Sequence, residues 1–477
     1  MLRYLLFAMV MLSCSALVRA QELVSSEQIG QASREELGEL FGPFGGLVEN
    51  SVTLYRILYT TPDIEGRTDT ASGLLILPNR PDDVLPLICV QHGTVNSKSD
   101  VPSNLAGGYE LGLSFGALGY VTVMPDFLGL GESRGFHPYV HADSEAWASL
   151  DMLLAVEEFA AQNSVLLNDQ LFITGYSQGG HAGMALHRGI ELNNSDLYTV
   201  TAASHMSGPY SISGIMRDLI LGDEPYFFPA YVPFTLLSYD RVYELFDDLS
   251  EIFKPAYANA VELYFNRAID LNTLNETLIE QLTLEAGASI SKNMFQDSVL
   301  NAVINDPSHP FNVALRDNDV YEWAPQAPTR ILYCMADDQV PFRNSIIADS
   351  VMNALGAPSV ESIDVQSNAD HGECIFPAIL NTILFFEEFK DITTDVETVA
   401  RTLPVSVFPN PTKDVVRLSE VPTDALLQVF DLNGRLLQQK IAQSITPTLD
   451  LSHQSEGVYI LKIAAREGSW TGKILKQ

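Results

Sequence analysis

The 477-residue sequence is too long for one hydrophobic core, since single cores seldom exceed about 250–300 residues, so it predicts two or more domains. Its 27 basic and 60 acidic residues give a formal net charge of −33, which argues against nucleic acid and anionic membranes as partners. The excess of acid precedes residue 403, because residues 403–477 hold eight basic and seven acidic residues.

Residues 1–20 have the pattern of a secretory signal peptide. Arg3 precedes an apolar run from Tyr4 to Ser13, and Val18-Arg19-Ala20 provides a cleavage site before Gln21. The apolar run is well short of the roughly 20 residues that a membrane-spanning helix needs. No later segment is long and apolar enough to span a bilayer, so we expect a soluble, exported mature protein without a stable membrane span.

The next elements predict an α/β domain. A polar helical stretch is expected over residues 22–45, followed by two strands over Val52–Thr60 and Ala71–Leu77. Strands and helices then alternate, which indicates a parallel sheet with helices on both faces. The predicted strands are Leu85–Gln91, Val121–Met124, Leu171–Thr174 and Tyr198–His205, and the predicted helices are Leu105–Leu118, Ser144–Ala161 and Gly179–Leu192.

The segment Gly175-Tyr176-Ser177-Gln178-Gly179-Gly180 joins a predicted strand to a predicted helix. Strand, G-x-S-x-G and helix form the pattern of a nucleophile elbow. In so tight a turn the backbone comes too close for side chains at Gly175 and Gly179, and the Ser177 hydroxyl is lifted above the sheet. The alternative is a serine in an ordinary glycine-rich turn. The pattern predicts Ser177 as a nucleophile.

Residues 211–320 contain few strand signals and much helix, which predicts an inserted helical cap with a dense aromatic and proline patch over residues 225–234. Strand signals return over Arg330–Met335 and weakly over Ser359–Val365, and Ile375–Phe386 is the predicted closing helix. Residues 390–402 are polar and acidic, as in a linker. Short strand-like runs separated by turns over residues 403–477 predict a small β-sandwich.

A serine nucleophile needs a base that takes its proton and an acid that orients the base, and after this elbow the chain order is Ser, acid, His. Only His371 and His453 follow the returning strand, and His453 lies in the predicted sandwich, so His371 is the predicted base. Asp337 and Asp338 both follow that strand. The D-x-x-V-P spacing favours Asp337 as the acid, and a turn or helix cap is the alternative role for either.

A tetrahedral intermediate needs two N–H donors for its oxyanion. The Gln178 amide is one candidate, and Thr94, in the loop that follows the strand Leu85–Gln91, is the other. Gly93 allows the backbone of that loop to approach the site. His137 and His141 are too isolated to predict a metal site, so no metal ligand is assigned.

Three cysteines remain after signal cleavage, namely Cys89, Cys334 and Cys374. Cys89 lies in an apolar strand and is expected to be a buried thiol. Cys334 and Cys374 each lie three residues from a predicted member of the triad, and in an exported protein this favours a disulfide between them.

These motifs resemble those of α/β-hydrolases, in particular secretory lipases and related esterases, over residues 50–388. The matching segments are Ala71-Ser72-Gly73-Leu74-Leu75, Gln91-His92-Gly93-Thr94, Pro125-Asp126-Phe127-Leu128-Gly129, Gly175–Gly180, Ala336–Pro341 and Asp370-His371. The resemblance implies an α/β-hydrolase domain over residues 21–389 with an inserted helical cap. It also implies hydrolysis of a small-molecule or lipid ester through an acyl-enzyme, without cofactor.

The C-terminal segment resembles a type IX secretion sorting domain. The matching pieces are Phe408-Pro409-Asn410-Pro411, Asp431-Leu432-Asn433-Gly434, Gly457-Val458-Tyr459-Ile460 and Lys473-Ile474-Leu475-Lys476. The resemblance implies handling by the type IX secretion machinery and a secreted or cell-surface location. A carbohydrate-binding β-sandwich is the alternative for this segment.

Two other functions stay open for the hydrolase domain. One is a propeller-free serine peptidase, an aminopeptidase or an acyltransferase of the same fold. The other is a catalytically inactive surface-binding protein, which a fluorophosphonate probe would leave unlabelled, since only an activated serine reacts.

Overall fold

The computed structural model describes residues 22–394, 405–423, 425–431, 436–465 and 468–477. The predicted signal peptide lies outside the described residues, as does most of the predicted linker. The chain divides into two compact units, with the boundary along the sequence between Ile392 and Thr393.

Nine strands lie side by side in the first unit. They are β1 (Leu23–Ala32), β2 (Val52–Pro62), β3 (Thr68–Pro78), β4 (Asp83–Gln91), β5 (Val121–Pro125), β6 (Leu166–Tyr176), β7 (Val200–Met206), β8 (Thr329–Tyr333) and β9 (Val360–Asp364). Their order is β1-β2-β3-β5-β4-β6-β7-β8-β9. The pairs from β1 to β5 are antiparallel, and those from β5 through β4 to β9 are parallel. The carboxyl ends of β4, β6 and β8 therefore share one edge, where functional loops collect in such sheets.

The N-terminal prediction of a polar helix over residues 22–45 is wrong in its first half. Leu23–Ala32 form an edge strand that pairs antiparallel with β2, and helix α1 (Arg34–Leu40) begins only after Ser33. Because most of the strand's side chains are polar and exposed, they give no alternation from which a strand could be recognised. Backbone hydrogen bonds to β2, along one side of the strand, determine its position in the sheet. A capping box between Ser33 and Glu36 then starts α1.

Alternate residues of each central strand face two different helical layers. Leu75, Cys89 and Val123 pack in one buried cluster with α3 (Ala142–Asn163) and α4 (Gln178–Asn193). Their neighbours along the strands belong to a second cluster with α2 (Glu110–Ala117) and the last helix of the unit. Because successive strand residues point to opposite faces, the sheet is covered on both sides, as the sequence predicts.

The cap consists of helices inserted between β7 and β8. After a π-helical turn over Ile212–Met216 come α5 (Arg217–Leu221), α6 (Tyr231–Tyr243), α7 (Leu249–Ile252), α8 (Pro255–Phe265), α9 (Leu271–Ala286), α10 (Asp297–Asn305) and α11 (Pro310–Asp317). They bury a core of their own around Tyr239, Phe253 and Leu274. Helices α12 (Arg343–Ala354) and α13 (His371–Glu387) then complete the unit. In the described part of the chain, every helix is too short or too polar to reach across a bilayer.

The second unit begins along the sequence with a two-residue strand, β10 (Thr393–Thr394), and continues as a β-sandwich whose sheets do not include β10. The strands of the sandwich are β11 (Ser406–Phe408), β12 (Val415–Ser419), β13 (Leu426–Phe430), β14 (Leu436–Ile441), β15 (Thr448–Asp450), β16 (Gly457–Ala465) and β17 (Gly468–Lys476). One sheet has the order β11-β12-β15 and the other β14-β13-β16-β17. Val416 and Leu449 of the first sheet pack in one buried cluster with Val429 and Leu461 of the second. The predicted turn Asn433-Gly434 lies outside the described residues.

Candidate active site

Ser177 stands at a sharp turn between β6 and α4. Its backbone angles, φ 60° and ψ −122°, lie in a sparsely populated region that costs a non-glycine residue about 1–3 kcal/mol. The surrounding glycines make the turn possible, because a Cβ at Gly175 would strike the Gly179 carbonyl and a Cβ at Gly179 would strike that of Gln91. The Ser177 N–H donates to the Met206 carbonyl at 2.9 Å and ties the turn to the neighbouring strand.

His371 lies at the first position of α13, after the helix cap Asp370, whose side chain accepts from the Glu373 N–H. Its Nε2 is 2.9 Å from Ser177 Oγ. His371 is 7% exposed, and the Tyr176 hydroxyl donates to its backbone carbonyl. The imidazole is therefore held against the serine by a helix start on one side and a strand end on the other.

Asp337 lies in the turn after β8 and contacts the other ring nitrogen. His371 Nδ1 is 2.8 Å from Asp337 Oδ2 and 3.0 Å from Oδ1. The backbone N–H groups of Gln339 and Val340 donate to Oδ1 at 3.0 and 2.8 Å. Because a carboxylate only accepts, Nδ1 carries the proton and Nε2 presents its lone pair to Ser177.

The neighbouring Asp338 makes a different contact. Its Oδ1 accepts from the backbone N–H of His371 at 3.3 Å, which is a longer and weaker bond to the main chain. The carboxylate that touches the imidazole is therefore that of Asp337, the residue that the D-x-x-V-P spacing favours.

A disulfide joins Cys334 to Cys374, as the sequence predicts. Cys334 precedes the turn that holds Asp337, and Cys374 lies in the first turn of α13, three residues after His371. The disulfide therefore links the segment that leads to Asp337 with the helix that begins at His371. Cys89 is a buried free thiol, and burial raises its pKa.

The two predicted oxyanion donors belong to the residue that follows Ser177 and to a loop whose Gly93 lies near Ser177. Gln178 is the first residue of α4, so its N–H has no carbonyl four residues earlier within the helix. The loop before Thr94 lies against the elbow, because a Cβ built on Gly93 would be 3.9 Å from Ser177 Cβ. The Thr94 hydroxyl hydrogen-bonds the Tyr139 hydroxyl at 2.9 Å, which anchors the loop to the residues before α3.

A largely apolar cavity leads from Ser177 and Gln178 into the cap. Its walls are formed by Tyr139, Val140, Pro209, Ile212, Met216, Ile220, Leu221, Tyr226, Tyr231, Val232, Leu236, Ile252, Phe295, Val299, Leu300, Val303, Phe311, Leu315 and Val340, with Arg217 and Thr235 as polar members. The hydroxyls of Tyr226 and Tyr231 donate to the backbone and side-chain oxygens of Gln339, each at 3.0 Å. These two bonds join the cap to the turn that holds Asp337.

Glu145, to which the sequence assigned no role, is buried in the first turn of α3 and contacts Gln178 and His181.

His141 caps α3 by accepting from the Ser144 N–H, and burial lowers its pKa to about 4. The described residues contain no group of His, Cys, Asp or Glu side chains arranged to hold a metal ion.

Comparisons with known proteins agree with this architecture. A family model described as a secretion system C-terminal sorting domain matches residues 406–477. A comparison with curated protein sequences gave no match. The chain has the α/β-hydrolase fold and ends in a type IX sorting domain, which indicates export to the cell surface or the medium.

Among solved structures, the esterase LipA of Xanthomonas oryzae, which degrades the rice cell wall, has 25% sequence identity and a TM-score of 0.69, over 77% of this chain and 99% of its own. A protein of Legionella pneumophila has 26% identity and a TM-score of 0.70, over 77% of this chain and 98% of its own. Candida antarctica lipase A in its closed state shares the fold at 14% identity and a TM-score of 0.57, over 77% and 81%.

Proposed function

We propose that this exported chain of α/β-hydrolase fold is a serine hydrolase of carboxylic esters that works through an acyl-enzyme. The observation that carries the proposal is the continuous line of contacts from Ser177 Oγ through the His371 ring to Asp337, with steps of 2.9 and 2.8 Å. A buried serine that faces the lone pair of an oriented imidazole is the arrangement that activates a hydroxyl for attack.

In the proposed cycle, Ser177 Oγ attacks the ester carbonyl while His371 Nε2 takes its proton. The carbonyl oxygen becomes an oxyanion that accepts from the N–H groups of Thr94 and Gln178. Nε2 then gives the proton to the departing alcohol, and the acyl group stays on Oγ. Water repeats the sequence and frees the acid. Asp337 stabilises the imidazolium that forms in each half of the cycle.

The cavity supports an apolar acyl group as the part of the substrate that the enzyme encloses. Its walls are almost entirely aliphatic and aromatic, and such walls contribute about 0.8 kcal/mol for each CH₂ group that they remove from water. We propose esters of short to medium apolar acids as substrates. The similar LipA is an esterase, which agrees with ester hydrolysis.

A series of p-nitrophenyl esters of increasing acyl length tests the proposal. We expect p-nitrophenol release by the wild-type protein, with a maximum of kcat/KM at one acyl length, and loss of release in Ser177→Ala. Ser211→Ala is a matched control that removes a buried cap hydroxyl and should retain turnover. Absence of turnover at every acyl length would refute ester hydrolysis. Cleavage of aminoacyl p-nitroanilides instead would favour the peptidase alternative.

A further inference from the structure

A buried carboxylate contacts the helix that follows Ser177. Glu145 is 1% exposed, and its Oε1 accepts from Gln178 Nε2 at 2.8 Å. Its Oε2 lies 2.8 Å from His181 Nδ1. Gln178 and His181 are the first and fourth residues of α4, which begins directly after Ser177. The Glu145 carboxylate therefore contacts two residues in the first turn of α4, the helix that follows the elbow.

The His181 ring faces an acceptor at each nitrogen. Nε2 is 3.0 Å from the backbone carbonyl of Asn318, and Nδ1 faces the carboxylate of Glu145. The carbonyl requires a proton on Nε2, and a second proton is shared between Nδ1 and Oε2. The pair therefore carries no net charge, and both of its members are fully buried. A pair satisfied in this way is a rigid anchor and not a solvated surface contact.

His137 holds the same Gln178 side chain from another direction. Its Nδ1 donates to the Leu128 carbonyl at 2.8 Å, and burial lowers the pKa of the ring to about 3, so the imidazole is neutral. Its Nε2 is then free to accept, and it lies 2.8 Å from Gln178 Nε2. The amide nitrogen of Gln178 thus uses one hydrogen on His137 and the other on Glu145.

We propose that Glu145 is a positioning residue for catalysis, which fixes the peptide between Ser177 and Gln178 by holding the Gln178 side chain together with His137. The inference rests on the proposed function, because the group that is positioned is the Gln178 N–H that would bind the oxyanion. That N–H belongs to the residue whose side chain is held, so the contacts with Glu145 and His137 add to the backbone hydrogen bonds that fix the elbow.

We expect loss of the Glu145 contact to lower kcat, but by less than the removal of an oxyanion donor does. Loss of one oxyanion donor lowers kcat by about 10²–10³-fold in other serine hydrolases. A donor that is present but less well aimed should cost about 10–100-fold, since small misplacements in a preorganised site have effects of this size. Binding of the acyl chain should change little, because the cavity walls do not include Glu145.

The test uses the full chain with Glu145→Met, Gln178→Met and the double variant. Methionine at position 145 removes both acceptor oxygens while nearly keeping the length of the side chain, and methionine at position 178 removes the held amide but keeps the backbone N–H. Glu158→Met is the matched control, because it makes the same change on the exposed side of α3. The measurements are kcat and KM for the best p-nitrophenyl ester, the rate of labelling by a fluorophosphonate, and the melting temperature.

We expect both single variants to lose about 10–100-fold in kcat and in labelling rate, with the control unchanged. KM should stay within about threefold of the wild type in the Glu145 variant, because Glu145 does not line the cavity. Because both act through one linkage, the double variant should be no slower than the slower single variant. A folded Gln178→Met with wild-type kcat would overturn the inference, even if Glu145→Met fails to fold. So would losses that multiply in the double variant. Activity in Ser177→Ala would instead refute the proposed function.

Discussion

Replacement of Asp337 by Asn should reverse the hydrogen-bond role of His371 without displacing it. Oδ1 of Asp337 accepts from two backbone N–H groups, those of Gln339 and Val340. In Asp337→Asn these donors require the amide oxygen at the same place, so the NH₂ group takes the position of Oδ2 and faces His371 Nδ1, at the 2.8 Å of the present contact. Nδ1 must then accept, and the ring proton moves to Nε2.

With the proton on Nε2, the ring offers Ser177 a donor and cannot take the proton of its hydroxyl. A wrong tautomer of this kind lowers kcat by about 10⁴-fold in serine proteases, and since the amide here is locked by two bonds we expect about 10³–10⁴-fold, or about 4–5.5 kcal/mol in the barrier. The assay is steady-state hydrolysis of a p-nitrophenyl ester, with circular dichroism and the melting temperature as checks on folding.

Asp338→Asn is the matched control, because it makes the same change one residue along the chain. The hydrogen bond that Asp338 makes to His371 is to the backbone N–H and not to the ring, so its replacement should cost less than about tenfold. The reasoning is refuted if Asp337→Asn keeps more than about a tenth of wild-type kcat, or if Asp338→Asn loses more than Asp337→Asn does.

Three further predictions concern stability and the acyl pocket. Replacement of Cys334 and Cys374 by Ser opens a loop of 40 residues and should lower the free energy of unfolding by about 4 kcal/mol, measured by urea denaturation; an unchanged midpoint would contradict it. Leu300→Trp should fill part of the cavity and move the preferred ester to a shorter acyl chain, whereas an unchanged acyl profile would place the chain elsewhere. Burial lowers the pKa of His137 to about 3, whereas the ring of the unfolded chain binds a proton from about pH 6.5 downwards. The free energy of unfolding should therefore decrease as the pH falls from about 6.5 towards 3, and His137→Gln should make this decrease less steep; equal slopes in the two proteins would contradict the prediction.

Much of the first unit could be predicted from its apolar pattern. Buried strands such as β4 and β5 are nearly continuous apolar runs with turns at both ends, and this pattern can be recognised from the sequence alone. The strand β1 could not be recognised, because it is an edge strand whose side chains are mostly solvated on both faces. Its structure depends on pairing with β2, which is a contact between residues about 30 positions apart.

The site was accessible from the sequence where chemistry leaves a local pattern. The elbow has fixed glycines, and Asp337 and His371 follow from chain order, so all three side chains could be named and the structure brings them into contact. Their catalytic roles stay predictions. The position of Glu145 left no such pattern, since a glutamate in the first turn of a helix is ordinarily a surface residue that favours the helix dipole. Its contacts with Gln178 and His181 arise from packing of α3 against α4.

The most direct test of the central claim is to locate the serine that a fluorophosphonate modifies. Peptide mass spectrometry of the labelled full chain should place the phosphonyl group on Ser177, and His371→Ala should lose the label while remaining folded. Labelling of another serine, or equal labelling in His371→Ala, would contradict the proposal that the His371 ring activates the hydroxyl 2.9 Å away.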